Sequence, residues 1–116
     1  MNLYNMTLNL NPKKENEIVN LYIKASNLAD AYSKSVAYIC DLLQKGIDVV
    51  TGDLNVRDTN VDLIKHQSKI KFGWLYQILG EGKPRYIACD SYFDLNNYVK
   101  EDDCEIITYT ENCIII

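Results

Sequence analysis

Between Ile18 and Val56 the spacing of apolar residues changes from every second position to a helical repeat and back again, which limits the folds open to this chain. Val19, Leu21, Ile23 and Ala25 alternate with Asn20, Tyr22 and Lys24, the two-residue period of a half-buried strand. A helix is expected to follow at once. Ser26 or Asn27 can cap it, because a short side-chain oxygen accepts a hydrogen bond from a free N–H of the first turn, and Gly46 can close it in the left-handed conformation. Leu28, Tyr32, Ser35, Val36, Ile39, Leu42 and Leu43 gather on one side of that helix and are expected to face the core. Asp30, Ser33, Lys34, Ala37, Asp41, Gln44 and Lys45 fall on the other, with Asp30–Lys34 and Asp41–Lys45 in the favourable acid-before-base order. From Ile47 to Val56 the pattern reads as strand again, with Gly52-Asp53 expected to bulge it or split it in two.

The flanks of this unit read mostly as further strands. Tyr4, Met6, Leu8 and Leu10 alternate with Asn5, Thr7 and Asn9, and the turn chemistry of Asn11 to Asn16 folds that strand back as a hairpin with Ile18–Ala25. Ile70, Phe72, Trp74, Tyr76 and Ile78 share one face of a later strand, Gly80 to Pro84 turns the chain, and Arg85 to Asp90 returns beside it. Arg57 to Ser68 has no firm period, although Asp58, Thr59 and Asn60 can cap a short helix through Val61, Leu63, Ile64 and His66. A turn of helix can start at Ser91 or Asp94, Glu101 to Asp103 is an acidic loop, and Glu105 to Thr110 is rich in strand formers. Ile114 to Ile116 are expected to pair as a last strand; contact with another subunit is the other way to cover them. The expectation is therefore an α+β fold, a mainly antiparallel sheet of five or six strands with one long amphipathic helix packed on one face. A chain of 116 residues reads as a single domain, 1–116, able to bury roughly 65% of its unfolded surface.

Composition excludes more than it selects. An apolar fraction of 47% with 24% charged residues is that of a globular chain, and no run approaches the roughly 18 apolar residues that cross a bilayer. Met1 to Asn11 has no basic stretch leading into an apolar one, so the expected compartment is the cytoplasm and no membrane partner is expected. Cys40, Cys89, Cys104 and Cys113 contain no C-x-x-C pair and match neither a zinc framework nor a disulfide scaffold. Asn, Ile, Lys and Tyr, all with A/T-rich codons, make up over a third of the chain, which points to a bacterial, phage or mobile-element genome.

Motifs with chemistry in them fall short on inspection. Asp58, Asn60 and Asp62 stand where a calcium loop needs oxygens, but Leu63 replaces its Gly and Lys69 its bidentate Glu. Gly80-Glu81-Gly82-Lys83 lacks the first Gly and the Ser or Thr of a phosphate loop, where Gln77 and Pro84 stand instead. Cys89, His66 and Asp90 can be drawn as a triad, yet nothing near Cys89 in sequence would lower its pKa. No enzyme, metal or cofactor is expected.

Charge suggests a binding role. Residues 1–60 sum to −1, residues 61–86 to +3 and residues 87–116 to −6. An acidic chain is poorly suited to neutralise phosphates, so nucleic acid is disfavoured and a basic protein surface favoured. The first expectation is a small non-catalytic protein-binding module, an inhibitor of phage or mobile-element origin that occupies a host (defence) protein. Its acidic surface would comprise Asp90, Asp94, Glu101, Asp102, Asp103 and Glu105. The alternative is a small-ligand or nucleotide-binding domain working as a homo-oligomer. Lys69, Lys71, Phe72, Trp74, Tyr76, Lys83 and Arg85 would then supply stacking and charge to a ligand or to single-stranded nucleic acid.

Overall fold

A computed structural model of the chain describes residues 1–65, 73–79, 85–89 and 105–116. Among the described residues the fold is α+β, with one helix packed on a mostly antiparallel sheet. Five strands of five residues or more carry the larger part of the pairing: β1 (Asn2–Leu10), β2 (Glu17–Ala25), β6 (Gly73–Leu79), β7 (Arg85–Cys89) and β8 (Glu105–Ile115). Three short strands, β3 (Val49–Thr51), β4 (Asn55–Asp58) and β5 (Leu63–Lys65), add to them. The helix is α1 (Leu28–Gln44). Two compact units divide the chain, Met1–Asn60 together with Ile116, and Val61–Ile115.

The first unit is the strand–helix–strand stretch with its hairpin. β1 and β2 pair antiparallel from Asn2↔Ala25 to Leu10↔Glu17, and Asn11 and Asn16 at the tip adopt left-handed backbones with φ of 47° and 52°. Short Asn side chains tolerate that region, so the tight turn needs no glycine. The returning strand splits where Gly52-Asp53 lies. β3 pairs with the end of β1 and β4 with its start, both antiparallel, and the Gly52 N–H donates to the Thr7 carbonyl at 2.8 Å in the gap. Directly opposite residues share a face, so Met6, Leu8 and Leu10 with Val19, Leu21 and Ile23 form one buried face. The other carries exposed Thr7, Ile18 and Val50, so α1 covers the first. Tyr22, expected to point outward, is instead buried with Leu3 on that second face.

Both ends of α1 are held by the chemistry its sequence suggests. The Asn27 side chain accepts from the Asp30 N–H at 2.8 Å, while the Asp30 carboxylate accepts from the Ser26 N–H at 3.2 Å. Two otherwise orphaned donors are thereby satisfied. At the far end Gly46 has φ 80°, its N–H donates to Leu43 and the Ile47 N–H donates to Leu42. Those are the paired bonds of a Schellman motif.

The described residues of the second unit form a four-stranded mixed sheet. β6 pairs antiparallel with β7 on one side and β8 on the other, and β5 adds to β7 in parallel. Tyr86, Ile87 and Ala88 are buried in succession, as expected of a strand covered on both faces. Leu63–Lys65 is thus strand rather than the short helix its capping residues suggested, because pairing with Tyr86–Ala88 outweighs a weak local preference. β8 absorbs two register shifts against β6, one of them beside Asn112 at φ 50°, and so runs unbroken from Glu105 to Ile115. The chain end is paired within the molecule: Ile116, counted with the first unit, exchanges main-chain hydrogen bonds with Tyr22 and Lys24.

Candidate functional site

The site is built by a mismatch on α1 between the arc that is apolar and the arc that is buried. Ala31, Ser35 and Leu42 face the sheet. Ala31 and Ser35 are small, which lets the helix approach closely, and the Ser35 hydroxyl is satisfied by donating to the Tyr32 carbonyl at 2.7 Å. The expected core positions Leu28, Tyr32, Val36 and Leu43 are instead 55%, 61%, 40% and 51% exposed. The helix is therefore turned about its axis relative to the setting its apolar residues alone would choose.

A polar contact accompanies that turn. The Lys34 ammonium donates to the Lys24 carbonyl of β2 at 2.8 Å and lies 3.5 Å from the Asp30 carboxylate. Asp41 and Lys45 pair at 2.9 Å on the same flank. The charged flank of α1 thus looks toward β2, and the apolar flank looks toward the β3–β4 edge. Beyond Leu28, Tyr32, Val36 and Leu43 that flank continues through Ala29, Ser33, Ala37, Cys40 and Gln44, all exposed and none charged.

Where this flank meets the edge there is an open, apolar depression of about 530 Å³ lined by Leu28, Ala29, Tyr32 and Leu54. Val56, on the same sheet face as Tyr4, is 54% exposed nearby in sequence. Tyr38, on the inner side of the helix, has its phenol pushed above the ordinary value of 10.0 by burial and by the neighbouring Asp41 charge. Nothing in this arrangement supplies a nucleophile with a base. Among the described residues no three His, Cys, Asp or Glu side chains gather to hold a metal ion, and no helix is long and apolar enough to cross a membrane.

The residues singled out from sequence are distributed differently. Of the acidic set, Glu105 is exposed at the start of β8, and Asp90, Asp94, Glu101, Asp102 and Asp103 lie outside the described residues. Of the aromatic and basic set, Trp74 and Tyr76 occupy β6 opposite Cys89 and Ile87 of β7, and Arg85 is half-buried opposite Ile78. Lys69, Lys71, Phe72 and Lys83 lie outside the described residues, as does His66. Sequence reasoning missed the α1 flank because it assigned the whole apolar arc to the core. The available signal was its width: an arc running from Leu42 through Leu28 and Val36 to Ala37 without a charge is wider than one sheet can cover.

Comparison with protein-family models, with curated proteins and with solved structures gives no match.

Proposed function

We propose that the protein is a non-catalytic protein-binding module and that it binds through the apolar flank of α1 and the depression at Leu28, Ala29, Tyr32 and Leu54. The observation that carries this is the row of four large apolar side chains left exposed on one helix flank. Single exposed apolar residues are ordinary, whereas a contiguous patch continuing into a depression is the mark of an interaction surface. The depression is lined almost wholly by apolar surface, which suits a partner's side chain better than a nucleotide.

The acidic end, with a sum of −6 over residues 87–116, supplies long-range attraction to a basic partner. Charge of this kind speeds encounter, while apolar contact holds the complex. In this reading the protein is a cytoplasmic inhibitor of phage or mobile-element origin that occupies a host protein. The test is purification of the tagged full chain from its host, with nuclease treatment, beside a Tyr32→Glu/Val36→Glu variant. One stoichiometric partner protein held by the wild type and lost by the variant is expected. A partner retained equally by both would place the surface elsewhere, and recovery of nucleic acid alone would overturn the reading.

A further inference from the structure

The apolar flank of α1 lies beside a strand edge with main-chain groups to spare. The Asn11 N–H donates to the Asp48 carbonyl, and the Gly52 N–H to the Thr7 carbonyl, each at 2.8 Å. Main-chain direction alternates along an antiparallel strand, so Asp48, Val50 and Gly52 turn theirs toward β1. Val49 and Thr51 turn theirs away. No other described strand pairs with β3 or β4. Val49 and Thr51 share a sheet face with Leu10 and Leu8, the face that α1 covers, so the open edge and the apolar flank border one groove.

The dimensions and charge of that groove select its occupant. Seventeen helical residues span about 25 Å, the length of roughly seven residues of extended chain. A helix would leave the outward N–H and C=O groups of Val49 and Thr51 unused, and only an extended backbone satisfies both. The helical wall is uncharged, whereas the edge from Asp48 to Asp58 carries Asp48, Asp53 and Asp58 against Arg57 alone.

We infer that this groove takes an extended segment of a partner protein, apolar through its middle and carrying a Lys or Arg, added as a strand alongside Val49 and Thr51 with one side chain in the depression at Tyr32. The inference rests on the protein-binding reading and specifies its mode. Main-chain bonds at the edge give affinity, and the depression chooses the side chain.

The experiment is selection of a displayed library of random dodecapeptides on the immobilised full chain, followed by amide exchange of the chain with the best synthetic peptide. Enriched peptides are expected to alternate β-branched or aromatic residues with polar ones and to carry a basic residue. The bound peptide should slow exchange at Val49 and Thr51 by about tenfold or more. Tyr32→Lys and Thr51→Pro should each weaken binding by about tenfold or more; the Thr51 N–H points away from β1, so its loss leaves the β1–β3 bonds in place. Should Thr51→Pro fail to fold, exchange in the wild type decides. No enrichment over a surface without protein overturns the inference. Peptides that are lost with Tyr32→Lys yet leave exchange at Val49 and Thr51 unchanged also overturn it, while leaving the protein-binding reading standing.

Discussion

The Lys34 ammonium donates to the main-chain carbonyl of Lys24 at 2.8 Å, and through that bond the charged flank of α1 is held to β2. The apolar flank is left to the other side, where β3 and β4 form the edge of the first unit. An ion pair to Asp30 at 3.5 Å adds little by itself, since both side chains are well exposed. The bond to the carbonyl fits this orientation of the helix, which the close approach of Ala31 and Ser35 to the sheet also favours.

Lys34→Met keeps the aliphatic stem and removes the donor. The expected loss is about 1 kcal/mol, below the roughly 1.5–3 kcal/mol of a hydrogen bond to a charged group because solvent screens this part-exposed one. It should be read as a lower urea midpoint at unchanged slope.

The two caps of α1 can be tested separately. Asn27→Ala removes the acceptor of the Asp30 N–H and should cost about 1 kcal/mol, whereas Asn27→Asp should cost little. Gly46→Ala should also cost about 1 kcal/mol. Nothing lies within 4 Å of a Cβ built there, so the cost comes from its φ of 80° and not from crowding. Thermal melts of the single variants and of the pair, whose sites are far enough apart to add, would check both.

Leu42 and Leu43 are adjacent in sequence and opposite in fate, 8% and 51% exposed. Leu42→Ala should therefore lose about 2 to 4 kcal/mol through lost burial and the cavity left behind. Leu43→Lys should stay within about 0.5 kcal/mol of the wild type, as surface substitutions do. Equal losses from the two would show that the α1 flank is packed in solution.

The raised pKa of Tyr38 predicts an alkaline weakness. Folding favours the neutral phenol, so the stabilisation is fully present below the unfolded value near 10.0 and is lost as pH rises through the higher folded value. Tyr38→Phe should make the fall in denaturation midpoint above that pH shallower. Asp41→Asn, which removes the nearby negative charge but not the burial, should lower the Tyr38 pKa part of the way in a difference titration against Tyr38→Phe.

Much of the first unit was readable before any coordinates, because local chemistry decides it. The strand from Val19 to Ala25, the oxygen of Asn27, the left-handed Gly46 and the interruption at Gly52-Asp53 each depend on residues close by, and each sits in the fold as expected, Tyr22 apart. The parallel pairing of β5 with β7 was not readable, because Leu63–Lys65 gains its strand character from residues more than twenty positions away. Tyr22 was misjudged for a related reason: alternation tells which residues share a face, and not whether that face is covered.

The candidate site divides along the same line. The sequence by itself determined that α1 would form, where it would begin and end, and that its uncharged arc would be wide, since propensity, capping and periodicity belong to the chain. It did not determine which part of that arc would meet the sheet. Tertiary structure decided it: Ala31 and Ser35 allow close approach, Lys34 reaches the Lys24 carbonyl, and one small sheet face can cover only Ala31, Ser35 and Leu42. Leu28, Tyr32, Val36 and Leu43 remain exposed because burying all of the apolar arc would require a second wall that β3 and β4 do not provide.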